Sequence, residues 1–302
     1  MLLHVVHETR YDYRPGVENA QHVTHLKPAN RAGQRLLSHS LSIFPGPAAL
    51  HELPDVYGNN RTFFSLQSSH DTLRVIADSM VTTSAPARGV ADALPWEQVR
   101  ERFRYRAGSA YDAASEFLFA SPYVPRDDAF AQFARPSFIA GKPLPEAAHD
   151  LMTRIHDTMA YESDSTEVNT PALVALKQGK GVCQDFAHIM VACCRAMGLP
   201  ARYVSGYMLT KPPPGQKRLI GSDASHAWAS VYCSGAAEAD GQWLDFDPTN
   251  NRAPGEDYVT LATGRDFLDV SPLRGVIRGG AQHVLNVAVT VEPLDAEVDS
   301  AT

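Results

Sequence analysis

The segment from Gly181 to Leu209, GVCQDFAHIMVACCRAMGLPARYVSGYML, changes its apolar period in mid-course. Phe186, Ile189, Met190, Cys193 and Met197 fall at i, i+3, i+4, i+7 and i+11, the stripe of a helix with one buried face. Gly198 and Pro200 stop that helix. Beyond them the period becomes two, so a strand follows. Two further segments, SHAWASVYCS and GQWLDFDPT, read as strands joined through a loop at 234–241 rich in Ala and Gly. A buried helix is thus followed by successive strands.

The flanks extend this plan. Residues 1–85 form a β-rich module. LHVVHETRYDYR, LLSHSLSIFPG, RTFFSLQ and LRVIADSMVTT read as strands separated by the turn signals RPG, PGP and YGNN. Their spacing suggests an antiparallel, sandwich-like arrangement. Residues 86–145, rich in Pro, Ala and Arg, form a connection with one or two short helices. A core with its C-terminal strand, HVLNVAVTVEP, spans 146–294, and 295–302 is an acidic, frayed tail. Within the core, PLPEAAHDLMTRIHDTM has helical spacing. TPALVALKQG reads as a short helix with Thr170 as N-cap, Pro171 at the first helical position and Gly179 as terminator.

Composition excludes several classes of function. A chain of 302 residues with net charge −7 has no basic excess for nucleic acid. No apolar run reaches membrane-spanning length, and the N-terminus lacks the basic region and cleavage site of a secretory signal. Four cysteines, two of them adjacent, do not make a disulfide framework in so long a chain. A reduced, cytoplasmic protein is expected, with no membrane partner.

The cysteines then divide by position. Cys183 and His188, five apart on a helix, are separated by about 140° and cannot share an ion. Cys183 and Cys194 share a face but lie roughly 16 Å apart along the axis. With no C-x-x-C in the chain, no metal site is expected. Cys193, Cys194 and Cys233 fit buried positions in a helix and a strand. Cys183 follows the loop GKG and opens the helix, where the dipole favours a thiolate and the backbone N–H groups an oxyanion. Locally, a structural thiol and a nucleophile fit it equally well.

A base would decide between them. On one face of SHAWASVYCS stand His226, Trp228, Ser230 and Tyr232; on one face of GQWLDFDPT stand Trp243, Asp245 and Asp247. Antiparallel pairing through the short loop requires partner numbers summing to about 473 to 475, which brings His226 beside Asp247 and Asp245 opposite 228–230. Such a His–carboxylate pair facing Cys183 would activate the thiol. The plainer alternative is that Asp247 caps the turn at Pro248 and His226 is an ordinary strand residue.

GVCQDFAHIMVACCRAMGLPARYVSGY, SHAWASVY and WLDFDPTN together resemble the three core motifs of the transglutaminase-like superfamily, in order. HETRYDY and YGNN resemble the N-terminal region of its bacterial branch. The resemblance implies an α+β fold, a papain-like core after the N-terminal β-sandwich-like module, with Cys183 as nucleophile, His226 as base and Asp247 as orienting carboxylate. It also implies no cofactor. Tyr161 and Gln178 are candidates for the second oxyanion donor. The expected activity is hydrolysis of amide or peptide bonds in a peptide or protein substrate, through a thioester. Acyl transfer to amines is the alternative within enzymes, and a non-catalytic peptide-binding module the alternative outside them. The Pro-rich segment at 210–225 could cover the cleft or be an ordinary surface connection.

Overall fold

A computed structural model of the chain describes residues 1–85, 89–108, 111–162, 170–210, 225–235, 241–280 and 282–294. The Pro-rich segment expected to border the cleft and the acidic tail lie largely or wholly outside these residues.

The N-terminal strands are β1 (Leu2–Thr24), β2 (Gln34–Phe44), β3 (Ala49–Pro54), β4 (Asn60–Leu66) and β5 (His70–Thr83). They form one antiparallel sheet in the order β2-β5-β1-β4-β3. β1 organises it: its first half pairs with β5 and its second half with β4, and its pairing with β5 is irregular between Asp12 and Val17. An irregularity of this kind bends a strand. The sheet curls there, packing Ile43, Leu73 and Val75 with Phe64 and Leu66. The sandwich-like character expected of this module thus comes from one curled sheet.

The connection contains α1 (Trp96–Arg102), a 3₁₀ turn (Ala113–Leu118) and α2 (Asp128–Ala134), more helix than expected. Asp112 and Asp127 cap the last two, accepting from Ala114 N and Ala129 N. The helices α3 (Leu144–Thr158), α4 (Ala172–Gln178) and α5 (Cys183–Ala196) follow. Pro171 rather than Thr170 is the N-cap of α4, and Gly179 ends that helix at φ +67°, where a side chain would be strained. Short strands β6 (Ala160–Tyr161) and β7 (Lys180–Gly181) pair in parallel just before α5.

The core sheet consists of β8 (Ala201–Met208), β9 (Ser225–Cys233), β10 (Gln242–Phe246) and β11 (Tyr258–Gly264), in the order β10-β9-β8-β11. Gln242 stands opposite Cys233 and Asp245 opposite Ser230, within the register expected from the loop length. The helix α5 packs on this sheet, burying Ile189, Met190 and Cys193 with Ala201, Ala229 and Val231.

The chain closes with α6 (Phe267–Val270), β12 (Leu273–Gly279) and β13 (Gln282–Leu294). The final strand, grouped by sequence with the core, pairs instead with β1 from Leu2 to Arg14, while β12 pairs with the second half of β1. β1 is thereby a central strand, with its backbone groups satisfied on both sides. Val289 and Val291 bury against Leu3, Val5, Tyr203, Tyr207 and Val259, joining the two sheets in one hydrophobic cluster. A chain ended after Gly280 should therefore lose its native fold, because the first half of β1 becomes a bare edge. Size-exclusion chromatography and circular dichroism would read this as aggregation or a lost cooperative transition; an unchanged melting profile would contradict the role given to β13.

Candidate active site

Cys183 opens α5, and its surroundings hold the helix head in place. Val182 precedes the helix in extended conformation, and its N–H donates to Asp185 Oδ2 at 2.8 Å. The Asp185 carboxylate folds back so closely that a Cβ on Gly181 would lie 2.6 Å from Oδ2. Gly181 is thus required by this cap. Asp185 N and Phe186 N already donate to Val182 O, whereas the N–H of Cys183 has no acceptor within the helix. Cys183 itself is partly buried.

His226 stands near the head of β9, 6% exposed, opposite Gly206 of β8. Its Nε2 donates to Asp247 Oδ2 at 2.7 Å. The ring's other nitrogen, Nδ1, is left free by Asp247, and Cys183 lies near enough to the imidazole to raise its pKa. Burial opposes a charge on this ring, but the hydrogen bond to Asp247 and the nearness of Asp247 and Cys183 outweigh it and push the pKa from 6.5 up to about 10.

Asp247 is fully buried. Its Oδ1 accepts from Thr249 N at 2.9 Å and Asn250 N at 3.2 Å. Its Oδ2 accepts from His226, from Asn250 Nδ2 at 2.7 Å and from the Tyr258 hydroxyl at 2.7 Å. Burial alone would raise its pKa; the hydrogen bonds and the imidazole charge hold it below the ordinary value. The turn after Asp247 is braced by α3, where His156 Nδ1 donates to Thr249 O and Thr153 Oγ1 to Asn251 Oδ1. Tyr258 is held by the Arg252 guanidinium, 4.7 Å above its ring.

Asp245, on the same strand, is paired elsewhere. Arg31 of the N-terminal module donates to its Oδ2 at 3.0 Å and to Thr260 Oγ1 at 2.8 Å. The structure therefore brings together Cys183, His226 and Asp247 and keeps Asp245 one pleat away. Of the two oxyanion candidates, Tyr161 lies close enough for Cys183 to act on its phenol, whose pKa is raised by burial and by that thiol. Gln178 ends α4 on the surface.

The remaining thiols are sealed. Cys193, Cys194 and Cys233 are fully buried, and burial raises the pKa of each, to about 12 for Cys194. His188 is a buried, neutral ring: burial lowers its pKa to about 3 and its Nε2 accepts from Phe267 N at 3.1 Å. Among the described residues no group of three or more His, Cys, Asp or Glu is arranged to hold a metal ion. Nor is any helix among them long and apolar enough to cross a membrane.

Sequence reasoning missed Asn250 and Tyr258. Asn250 lies in the DPTN turn already singled out, and an amide three residues beyond a buried carboxylate is a usable signal. Tyr258 belongs to β11, whose pairing with β8 is long-range and left no local trace.

Because the folded pKa of His226 exceeds its ordinary 6.5, its stabilising contribution is complete below about pH 6.5 and is lost as pH rises toward 10. Chemical denaturation of the wild type and His226→Gln at pH 6, 8 and 10 should show a stability gap that narrows with rising pH. A gap independent of pH would contradict a charged imidazole held by Asp247.

The model of the transglutaminase-like superfamily matches residues 131–248, and that of the bacterial transglutaminase-like N-terminal region matches residues 3–82. An uncharacterized protein of Mycobacterium tuberculosis strain H37Rv is 40% identical over 300 residues, covering 97% of this chain and 93% of the relative. A protein-glutamine gamma-glutamyltransferase of Pseudomonas aeruginosa is 35% identical over 75 residues, 24% of this chain and 10% of that protein. A crystal structure from Cytophaga hutchinsonii, described provisionally as a cysteine protease, superposes with a TM-score of 0.74 at 22% identity, covering 98% of this chain and 92% of the other. That likeness extends to the papain-like core and the N-terminal β region alike. The chain belongs to the transglutaminase-like superfamily, in the branch that carries the bacterial N-terminal region.

Proposed function

We propose that the protein is a thiol-dependent hydrolase of amide or peptide bonds that acts through Cys183, His226 and Asp247. The observation that carries this reading is the orientation of His226: its Nε2 is committed to a buried carboxylate, which leaves Nδ1 for Cys183, a thiol near enough to raise the ring's pKa. In the resting pair His226 Nδ1 already holds the thiol proton, as its raised pKa requires, and Asp247 stabilises that imidazolium and fixes the orientation of the ring. The thiolate attacks the substrate carbonyl, and the N–H of Cys183 at the head of α5 faces the developing oxyanion. The imidazolium returns its proton to the leaving amine as the C–N bond breaks, leaving a thioester. A water molecule, deprotonated by His226, then releases the acid and restores the thiol. The substrate is a peptide or protein, and a cytoplasmic setting suits four free thiols.

Transfer of the acyl group to an amine is the second reading. It is favoured by the local similarity to a protein-glutamine gamma-glutamyltransferase. Supplying a glutamine peptide together with a primary amine and measuring the product partition separates the two. Hydrolysis should dominate, and predominance of the isopeptide product would make the protein a transferase. In either case Cys183→Ala should keep the native melting temperature and abolish turnover. Activity surviving in that variant would overturn the proposal altogether.

A further inference from the structure

A second cavity, of about 500 Å³, lies between the turn that joins β3 to β4, the 3₁₀ turn at Ala113–Leu118 and the first residues of β8 and β10. Its size falls in the range of small-molecule sites, about 300–1,000 Å³. Three rings form a continuous wall: Tyr57 meets Phe117 at 5.3 Å between centroids, and Phe117 meets Trp243 edge-on at 5.2 Å. The Arg202 guanidinium lies 4.1 Å from the Trp243 ring and lines the same space.

Arg202 is the unusual element. Its Nε is sealed from solvent with no hydrogen-bond partner, and the structure gives its guanidinium no acceptor among the described residues. Asp245 is near enough to favour the charge, yet its Oδ2 is held by Arg31 and its buried Oδ1 makes no hydrogen bond to Arg202. Burial lowers the pKa of Arg202 to about 10, which leaves it a cation at neutral pH. Arg195 shows what this protein does with a buried guanidinium that has only a structural role. It donates to the carbonyls of Phe117, Phe119, Ala201 and Arg265. Unmet guanidinium donors in a half-enclosed site cost free energy that an incoming anion recovers. The guanidinium over Trp243 lines the cavity, and its Nη groups, unbonded among the described residues, can take a carboxylate through two hydrogen bonds.

We propose that this cavity is a binding site for a small aromatic carboxylate, its ring against Tyr57, Phe117 and Trp243 and its carboxylate on Arg202. The charge is limited to one: Glu116 also lines the cavity, held by the Tyr111 hydroxyl at 3.3 Å, and would repel a dianion. The site is separate from the triad. Arg202 pairs with Ser230, whereas His226 pairs with Gly206, four residues or about 13 Å further along the strands.

The test is calorimetric titration of the full chain with 4-hydroxybenzoate, indole-3-acetate and N-acetylphenylalanine, each against its neutral amide. Trp243 fluorescence provides a second reading of occupancy. At least one carboxylate should bind about tenfold or more tightly than its amide. Arg202→Gln should reduce it to the amide's affinity without changing the alkylation rate of Cys183. Tyr57→Ala, which leaves the guanidinium intact, should weaken carboxylate and amide together, and it stands in if Arg202→Gln fails to fold. Equal binding of acids and amides, undiminished binding by Arg202→Gln, or no binding of any probe up to about 10 mM would overturn the proposal.

Discussion

The carboxylate of Asp247 is the group on which the site depends. An isolated buried charge is costly, and this one is tolerated because hydrogen bonds reach both of its oxygens from three directions. His226 approaches from β9, Tyr258 from β11, and Asn250 with Thr249 from the turn that follows β10. The donors come from three different elements, so the carboxylate is satisfied only when β8–β11 are assembled in their observed order. The same requirement sets the imidazole: with Nε2 fixed on Asp247, the ring can turn only one nitrogen toward Cys183.

The rest of the molecule supports that arrangement from behind. The helix α5 is anchored by its apolar face, and Asp185 secures its first turn. The N-terminal sheet contributes more than bulk. Leu3, Val5, Val289 and Val291 pack on Tyr203, Tyr207 and Val259, and Arg31 occupies Asp245. Removing Asp245 from reach of the imidazole leaves a single carboxylate for His226. The two matched regions of the chain are thus one folding unit in physical terms.

What could be read from the sequence follows the range of the interactions involved. α5 and the register of β9 on β10 were legible because helical periodicity and a short loop are local. The nearness of His226 to Asp247 followed from that register, while the fold class came from the resemblance carried by the three motifs together. β3 left no signal because all six of its residues are exposed, which removes the alternation that marks a strand. β13 was legible as a strand but not in its placement, since its partner β1 lies at the other end of the chain. Tyr258 was missed for the same reason: β11 meets β8 across a long separation. Arg202 reads in sequence as an ordinary charge at the start of a strand, and only the walls brought in from Tyr57 and Phe117 make its lack of acceptors meaningful.

The central claim is that Asp247, and not Asp245, sets the imidazole that activates Cys183. The direct measurement is the second-order rate of iodoacetamide capture at each cysteine, followed by mass spectrometry in the wild type, Asp247→Asn and Asp245→Asn. Cys183 should react first, well ahead of the buried Cys193, Cys194 and Cys233. Its rate should fall about tenfold or more in Asp247→Asn and stay within about twofold in Asp245→Asn. Faster capture at any other thiol, or a greater loss in a folded Asp245→Asn, would contradict the account.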